Sequence, residues 1–209
     1  VRYKTPGIDL AIELKNQIEK TNHLPKIIFL QNHGLIISSD KFEEIKQLTE
    51  FVISSIEKYL KIDFSIFKTT NDLSEGLKSI GFKNMISYLC SDVYLCKILK
   101  KNKDLFIYSP FSPDSHVFCG ASAIEINNTS DLDDIIEYRS KYSVLPKIII
   151  FNKNLYIIAK NTKKAREIED VLKSNLLILE KTDSKINFLP KSELDYLSDW
   201  DAEKFRQNI

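Results

Sequence analysis

Lys26-Ile27-Ile28-Phe29-Leu30-Gln31-Asn32-His33-Gly34-Leu35-Ile36-Ile37-Ser38 consists of two short apolar runs, rich in β-branched residues, on either side of Asn-His-Gly. Such runs suit strands, and Asn and Gly tolerate the left-handed backbone that a tight reversal requires. The stretch predicts a buried β-hairpin with His33 at its turn. Before it, Ile8, Ala11, Leu14 and Ile18 recur at helical spacing over residues 8–20, punctuated at the start by Pro6-Gly7. After it, Ser39 or Asp40 is placed to cap a helix, with Glu43 completing a capping box. That helix carries a stripe of Ile45, Leu48, Val52, Ile56, Tyr59 and Leu60.

The plan recurs. Leu24-Pro25-Lys26-Ile27-Ile28 returns as Leu145-Pro146-Lys147-Ile148-Ile149, 121 residues on, and a second hairpin is expected over Ile150 to Ile158. Beyond it, Asn161-Thr162 caps a helix whose Ala165, Ile168, Leu172 and Leu176 follow Ile45, Leu48, Val52 and Ile56 by 120, so one residue is expected to be lost between hairpin and helix. At the offset of 121, His33 falls on Asn154 and Gly34 on Leu155, which leaves the second copy without an imidazole. A helix over Leu132 to Lys141 precedes this hairpin as residues 8–20 precede the first. Two helix–hairpin–helix layers imply an α/β fold, a layered α/β/α arrangement with a mostly antiparallel central sheet in two similar lobes. The boundaries read as residues 1–70 for the first lobe, 71–105 for a helical connection, and 106–209 for the second lobe. In the connection, Asp72 to Lys101 reads as two helices broken near Gly81. In the second lobe, the turn-rich Ser109 to Asp114 leads into a strand over Val117 to Cys119, and a helical tail spans Ser192 to Asn208.

The composition narrows the function classes. In 209 residues, 30 Lys+Arg stand against 29 Asp+Glu, which gives no steering field for nucleic acid or an anionic membrane. No apolar run approaches the roughly 18 residues needed to span a bilayer. Three cysteines, an odd number, argue against a disulfide framework and for a reducing cytoplasm; Cys90 and Cys96 read as core residues. Lys97 to Lys103 reads as the polar end of a helix. Of three histidines, His23 reads as a surface residue. A histidine fixed at a strand reversal, followed by a glycine that removes bulk beside it, suits metal ligation, although hydrogen bonding to the turn backbone is the ordinary explanation.

Tyr3-Lys4-Thr5-Pro6-Gly7-Ile8-Asp9-Leu10-Ala11, followed after an interval by Phe29-Leu30-Gln31-Asn32-His33-Gly34-Leu35, resembles the later half of the class II aldolase/adducin family. Residues 1 to about 60 carry that resemblance. Pro110-Phe111-Ser112-Pro113-Asp114 and Asp199-Trp200-Asp201-Ala202-Glu203-Lys204-Phe205-Arg206 resemble a longer branch of it with an added C-terminal region. The resemblance implies that His33 is a ligand of a catalytic divalent metal, usually zinc, with Asn32 and Gly34 setting the turn around it. It implies a carbon–carbon lyase acting on a small phosphorylated sugar or hydroxyketone, in a symmetric homo-oligomer. Family aldolases take two further ligands from an upstream His-x-His-Pro segment and a catalytic Glu from before that. Neither is present here, and a catalytic zinc needs about three protein ligands. Because Val1-Arg2-Tyr3 opens as if in the middle of a fold, those groups are expected on a preceding segment and the chain alone is expected to be inert. Asp114 and His116 are placed to touch a substrate anion; the plainer reading is a turn-capping Asp and a half-buried His. The rival reading of the whole is a non-catalytic, adducin-like binding or scaffolding module, and a third makes the hairpin a core element of an unrelated α/β protein.

Overall fold

A computed structural model describes residues 1–21, 23–129, 132–182 and 186–200. The chain divides into two compact units, Val1–Phe64 and Ser65–Ile209. In the first, helix α1 (Ile8–Thr21) precedes strands β1 (Ile27–Leu30) and β2 (Gly34–Ile37), and helix α2 (Phe42–Leu60) follows. β1 and β2 pair antiparallel with Phe29 opposite Leu35 and Leu30 opposite Gly34. Only part of this hairpin is buried: Ile28 and Leu30 point inward, whereas Phe29 and Leu35 on the alternate face are exposed. α2 starts without the expected cap. Lys41 holds the capping position, and Ser39 Oγ instead accepts from Lys41 N and donates to Glu44. Tyr59 and Leu60, expected in the buried stripe, are exposed, and Val52 is the buried residue of this helix.

The second unit holds helix α3 (Ser65–Ser79), strand β3 (Ile86–Leu89), helix α4 (Val93–Lys101), a 3-10 turn (Lys103–Phe106), helix α5 (Pro113–Cys119) and strand β4 (Ile124–Glu125). Helix α6 (Asp133–Tyr142), strands β5 (Ile148–Phe151) and β6 (Asn154–Ala159), and helices α7 (Thr162–Lys181) and α8 (Lys191–Asp199) complete it. The sheet order is β3-β6-β5-β4, antiparallel except for the β4–β5 pair. Its central strands are apolar on both faces because helices cover both. Ile148, Ile150, Leu155 and Ile157 pack with Leu95 and Ile98 of α4 and with Ala165, Ile168 and Leu172 of α7. Ile149, Tyr156 and Ile158 pack on the other side with Leu73 and Leu77 of α3 and Ile135 of α6. The chain is therefore mixed α/β with small open sheets, and its second unit is layered helix–sheet–helix.

Three local expectations are corrected. Residues 71–105 are not a helical connection: they lie inside the second unit and carry β3. Met85, Tyr88 and Leu89 mimic helical spacing, but the free edge of β6 takes this segment as a strand, with Ile86 opposite Ala159 and Leu89 opposite Tyr156. Gly81, at φ 97°, breaks the chain after α3, and Asp92 caps α4 by accepting from Leu95 N at 2.9 Å. The strand expected at Val117 to Cys119 is the end of α5. Ser112 and Ser115 form a reciprocal capping box at 3.0 and 3.1 Å with Pro113 in the first turn, which is a complete helix start. In the tail, α8 ends at Asp199 and Trp200 stacks on Tyr196; residues 201–208 lie outside the described residues. No helix among the described residues is long and apolar enough to cross a membrane.

Candidate functional site

The reversal between β1 and β2 is a three-residue turn, Gln31-Asn32-His33, closed by His33 N donating to Leu30 O at 3.1 Å. Asn32, at φ 57°, supplies the left-handed residue that a type II turn requires at its third position. Gly34 follows at φ 146°, a backbone region hostile to L side chains, and a Cβ there would meet nothing within 4 Å. Gly34 is thus required by backbone conformation and not, as expected, to clear bulk beside His33. The His33 side chain is exposed, and its ring has no hydrogen bond or ion pair among the described residues. The opening residues run beside the turn: the Val1 ammonium donates to Phe29 O at 2.8 Å, Gln31 N to Val1 O at 2.9 Å, and Tyr3 N to Gln31 Oε1 at 3.1 Å.

The second hairpin turns on two residues. Asn152 and Lys153, at φ 48° and 61°, have the signs of a type I′ turn, and Phe151 stands opposite Asn154. The residue missing from the second copy is therefore lost within the turn, not between hairpin and helix. Gly34 corresponds to Asn154 and Leu35 to Leu155, and the second hairpin has no position at all for His33.

Asp114 and His116 are two residues apart on α5, which sends them to opposite sides of the helix. Asp114 is exposed and His116 is buried. His116 Nε2 lies 2.9 Å from Ser198 Oγ of α8, and its Nδ1 has no partner among the described residues. Burial lowers the imidazole below its ordinary pKa of 6.5, the Leu194 carbonyl and Asp195 oppose this, and Lys147 adds to it. The pair does not converge on one small anion: Ser112 does the capping, and His116 ties α5 to α8. His23 is exposed, as expected, with Nδ1 2.7 Å from Thr21 O. The cysteines are thiols; burial pushes Cys119 up to about 12, and Asn175 Nδ2 approaches its sulfur at 3.8 Å.

The described residues contain no group of three or more His, Cys, Asp or Glu side chains placed to hold a metal ion. His33 supplies one imidazole where a catalytic zinc needs about three protein ligands, so these residues do not by themselves fit that ion. The second unit also holds a cavity of about 340 Å³ that no sequence motif marks, lined by Phe82, Phe118, Pro146, Lys147, Lys160 and Lys164 among others. The signal for it lay in the repeat, where Lys147 occupies the place of Lys26.

No family model matches the chain, and no curated protein does.

Proposed function

We propose that the chain is part of a metal-dependent, aldolase-type carbon–carbon lyase acting on a small phosphorylated sugar or hydroxyketone, with His33 contributing one imidazole to a divalent ion, zinc by preference. The observation that supports this is an exposed imidazole with no competing partner among the described residues. It stands on a turn whose backbone is set by Asn32 at φ 57° and Gly34 at φ 146°. Such a side chain is available to an ion, on a backbone already set by the turn. The remaining ligands, on this reading, come from outside the described residues or from a second copy in a homo-oligomer, and an aldolase-like layering of the hairpin units belongs to the same proposal. A cytoplasmic location accords with it.

Metal analysis of the purified protein and of His33→Ala tests the assignment, with His23→Ala as the control for a second exposed histidine. Loss of bound zinc in the first variant and retention in the control are expected. Equal zinc in all three proteins would remove His33 from the coordination sphere. Release of carbonyl product from ketose phosphates, lost together with the metal, tests the lyase.

A second reading, the non-catalytic scaffolding module, draws on a different observation. The first unit leaves Ile8, Phe42 and Tyr59 79%, 78% and 85% exposed, and α1 has no buried residue. Apolar side chains left at that exposure suit a protein-binding surface. Under this reading His33→Ala leaves metal content unchanged, whereas Tyr59→Ser weakens self-association measured by analytical ultracentrifugation.

A further inference from the structure

The two hairpin units carry a cavity at corresponding places, and the charge there is reversed. In the first unit it lies at the base of the hairpin and is lined by Leu24, Lys26, Ser38, Ser39, Asp40 and Glu44, with Lys41, Glu43 and Gln47 beside them. Lys26 forms an ion pair with Glu44, and Glu44 also accepts from Ser39. The hairpin offset of 121 before the turn and 120 after it carries Leu24 to Leu145, Lys26 to Lys147, Ser38 to Ile158, Ser39 to Ala159, Asp40 to Lys160 and Glu44 to Lys164. All six of these residues line the cavity of about 340 Å³ in the second unit. Two serines have become Ile158 and Ala159, and two carboxylates have become Lys160 and Lys164. The cavity of the first unit sets two lysines against three carboxylates; that of the second sets three lysines against Glu167.

Lys147 is the consequence. Its backbone carbonyl accepts from Ile158 N at 2.9 Å, which holds it in the hairpin, and its stem lies over Gly120. The carboxylate that neutralises Lys26 has no counterpart, and among the described residues no carboxylate lies within ion-pair distance of Lys147. Glu167 is engaged with Lys164 at 3.0 Å. Burial and the neighbouring Lys160 and Lys164 both disfavour the Lys147 ammonium, and its pKa is lowered from 10.5. Lys147 is half-buried; an ammonium partly withdrawn from water without a counter-ion carries a desolvation cost, and an anion arriving in the cavity relieves it. The walls select more than charge: Phe82, Met85, Phe118, Leu145 and Pro146 offer apolar surface to the remainder of a ligand.

We propose that this cavity is a binding site for a small amphiphilic carboxylate, its acid group set against Lys147 beside the Lys164–Glu167 pair and its apolar body against the Phe82–Phe118 walls. The site is separate from the His33 turn and stands whether or not that turn holds a metal.

Calorimetric titration of the full chain with octanoate tests it, with octanol and inorganic phosphate as comparison ligands. Octanoate is expected to bind, and octanol and phosphate are expected to bind at least about tenfold more weakly, since each lacks one half of the recognition. Lys164→Glu, which restores the pairing of Lys26 with Glu44, and Lys147→Met, which keeps the apolar stem, are each expected to weaken octanoate roughly tenfold or more with the melting temperature unchanged. Absence of octanoate binding, equal binding of octanol or phosphate, or undiminished binding by both variants would overturn the proposal. Should either variant fail to fold, reductive methylation of the unmutated protein decides. Octanoate is expected to protect Lys147 from the reagent, read by peptide mass spectrometry, and equal methylation with and without it refutes the site.

Discussion

At the scale of single residues, two glycines separate backbone strain from crowding. Gly34 sits at φ 146° with open space around it, so Gly34→Ala is expected to cost about 1–3 kcal/mol, all of it conformational. Gly120 sits at φ 80°, and a Cβ there would lie 3.2 Å from Tyr138 Oη and 3.4 Å from Lys147 Cγ. The Tyr138 hydroxyl already accepts from Ala121 N at 3.0 Å and from Ser122 N, so it has little room to move. Gly120→Ala is therefore expected to cost more than Gly34→Ala, about 2–5 kcal/mol, and urea midpoints of the two variants check the order. His116 gives a pH signature. Its folded pKa is lowered by burial, so the unfolded chain takes the proton first as acid is added. The contribution is complete above the ordinary pKa of 6.5 and is lost as the pH falls from there through the lower folded value. The loss of stability between neutral pH and about pH 5 should therefore shrink in His116→Leu, read from urea midpoints across that range.

At the scale of elements, the helix starts and the sheet carry different weights. The Ser112–Ser115 box is the whole local reason that α5 begins at Pro113, and Ser112→Ala is expected to destabilise by about 1 kcal/mol in thermal melts. Ile149, fully buried between Tyr156 and the α3–α6 layer, has no such economy. Ile149→Ala leaves a cavity in a two-sided core and is expected to cost about 2–5 kcal/mol. The hairpins, α1, α6, α7 and the cap at Asn161 were legible in the sequence, since turn residues, apolar period and caps are read within a few positions; Asn161 accepts from Lys164 N at 2.9 Å. β3 was not legible. Its four residues satisfy a helical period as well as a strand period, and only the vacant edge of β6, some seventy residues later in the chain, decides between them. α5 is legible in principle, since Ser112-Pro113-Asp114-Ser115 suits a helix start as well as a turn.

At the scale of the whole molecule, burial is uneven. In the first unit Ile28, Leu30 and Val52 are the buried apolar side chains among the described residues, while the second buries both faces of a four-stranded sheet. Local opening free energy follows such packing, so native-state hydrogen exchange should show amides of β5 and β6 protected longest and those of α1 exchanging early. Equal protection in the two units would mean that the apolar face of the first is covered in solution. The sequence by itself determined the mixed α/β class, the order helix–hairpin–helix in each unit and the placing of His33 at a reversal, because each is written in short-range backbone preferences and side-chain period. The three-dimensional structure decided that Asp114 and His116 point apart, that the lost residue lies in the turn, and that half-buried Lys147 lines a cavity with no carboxylate of its own. The first two follow from which element the chain adopts there, and the last from which distant side chains meet around one cavity; a local pattern compatible with more than one element specifies neither.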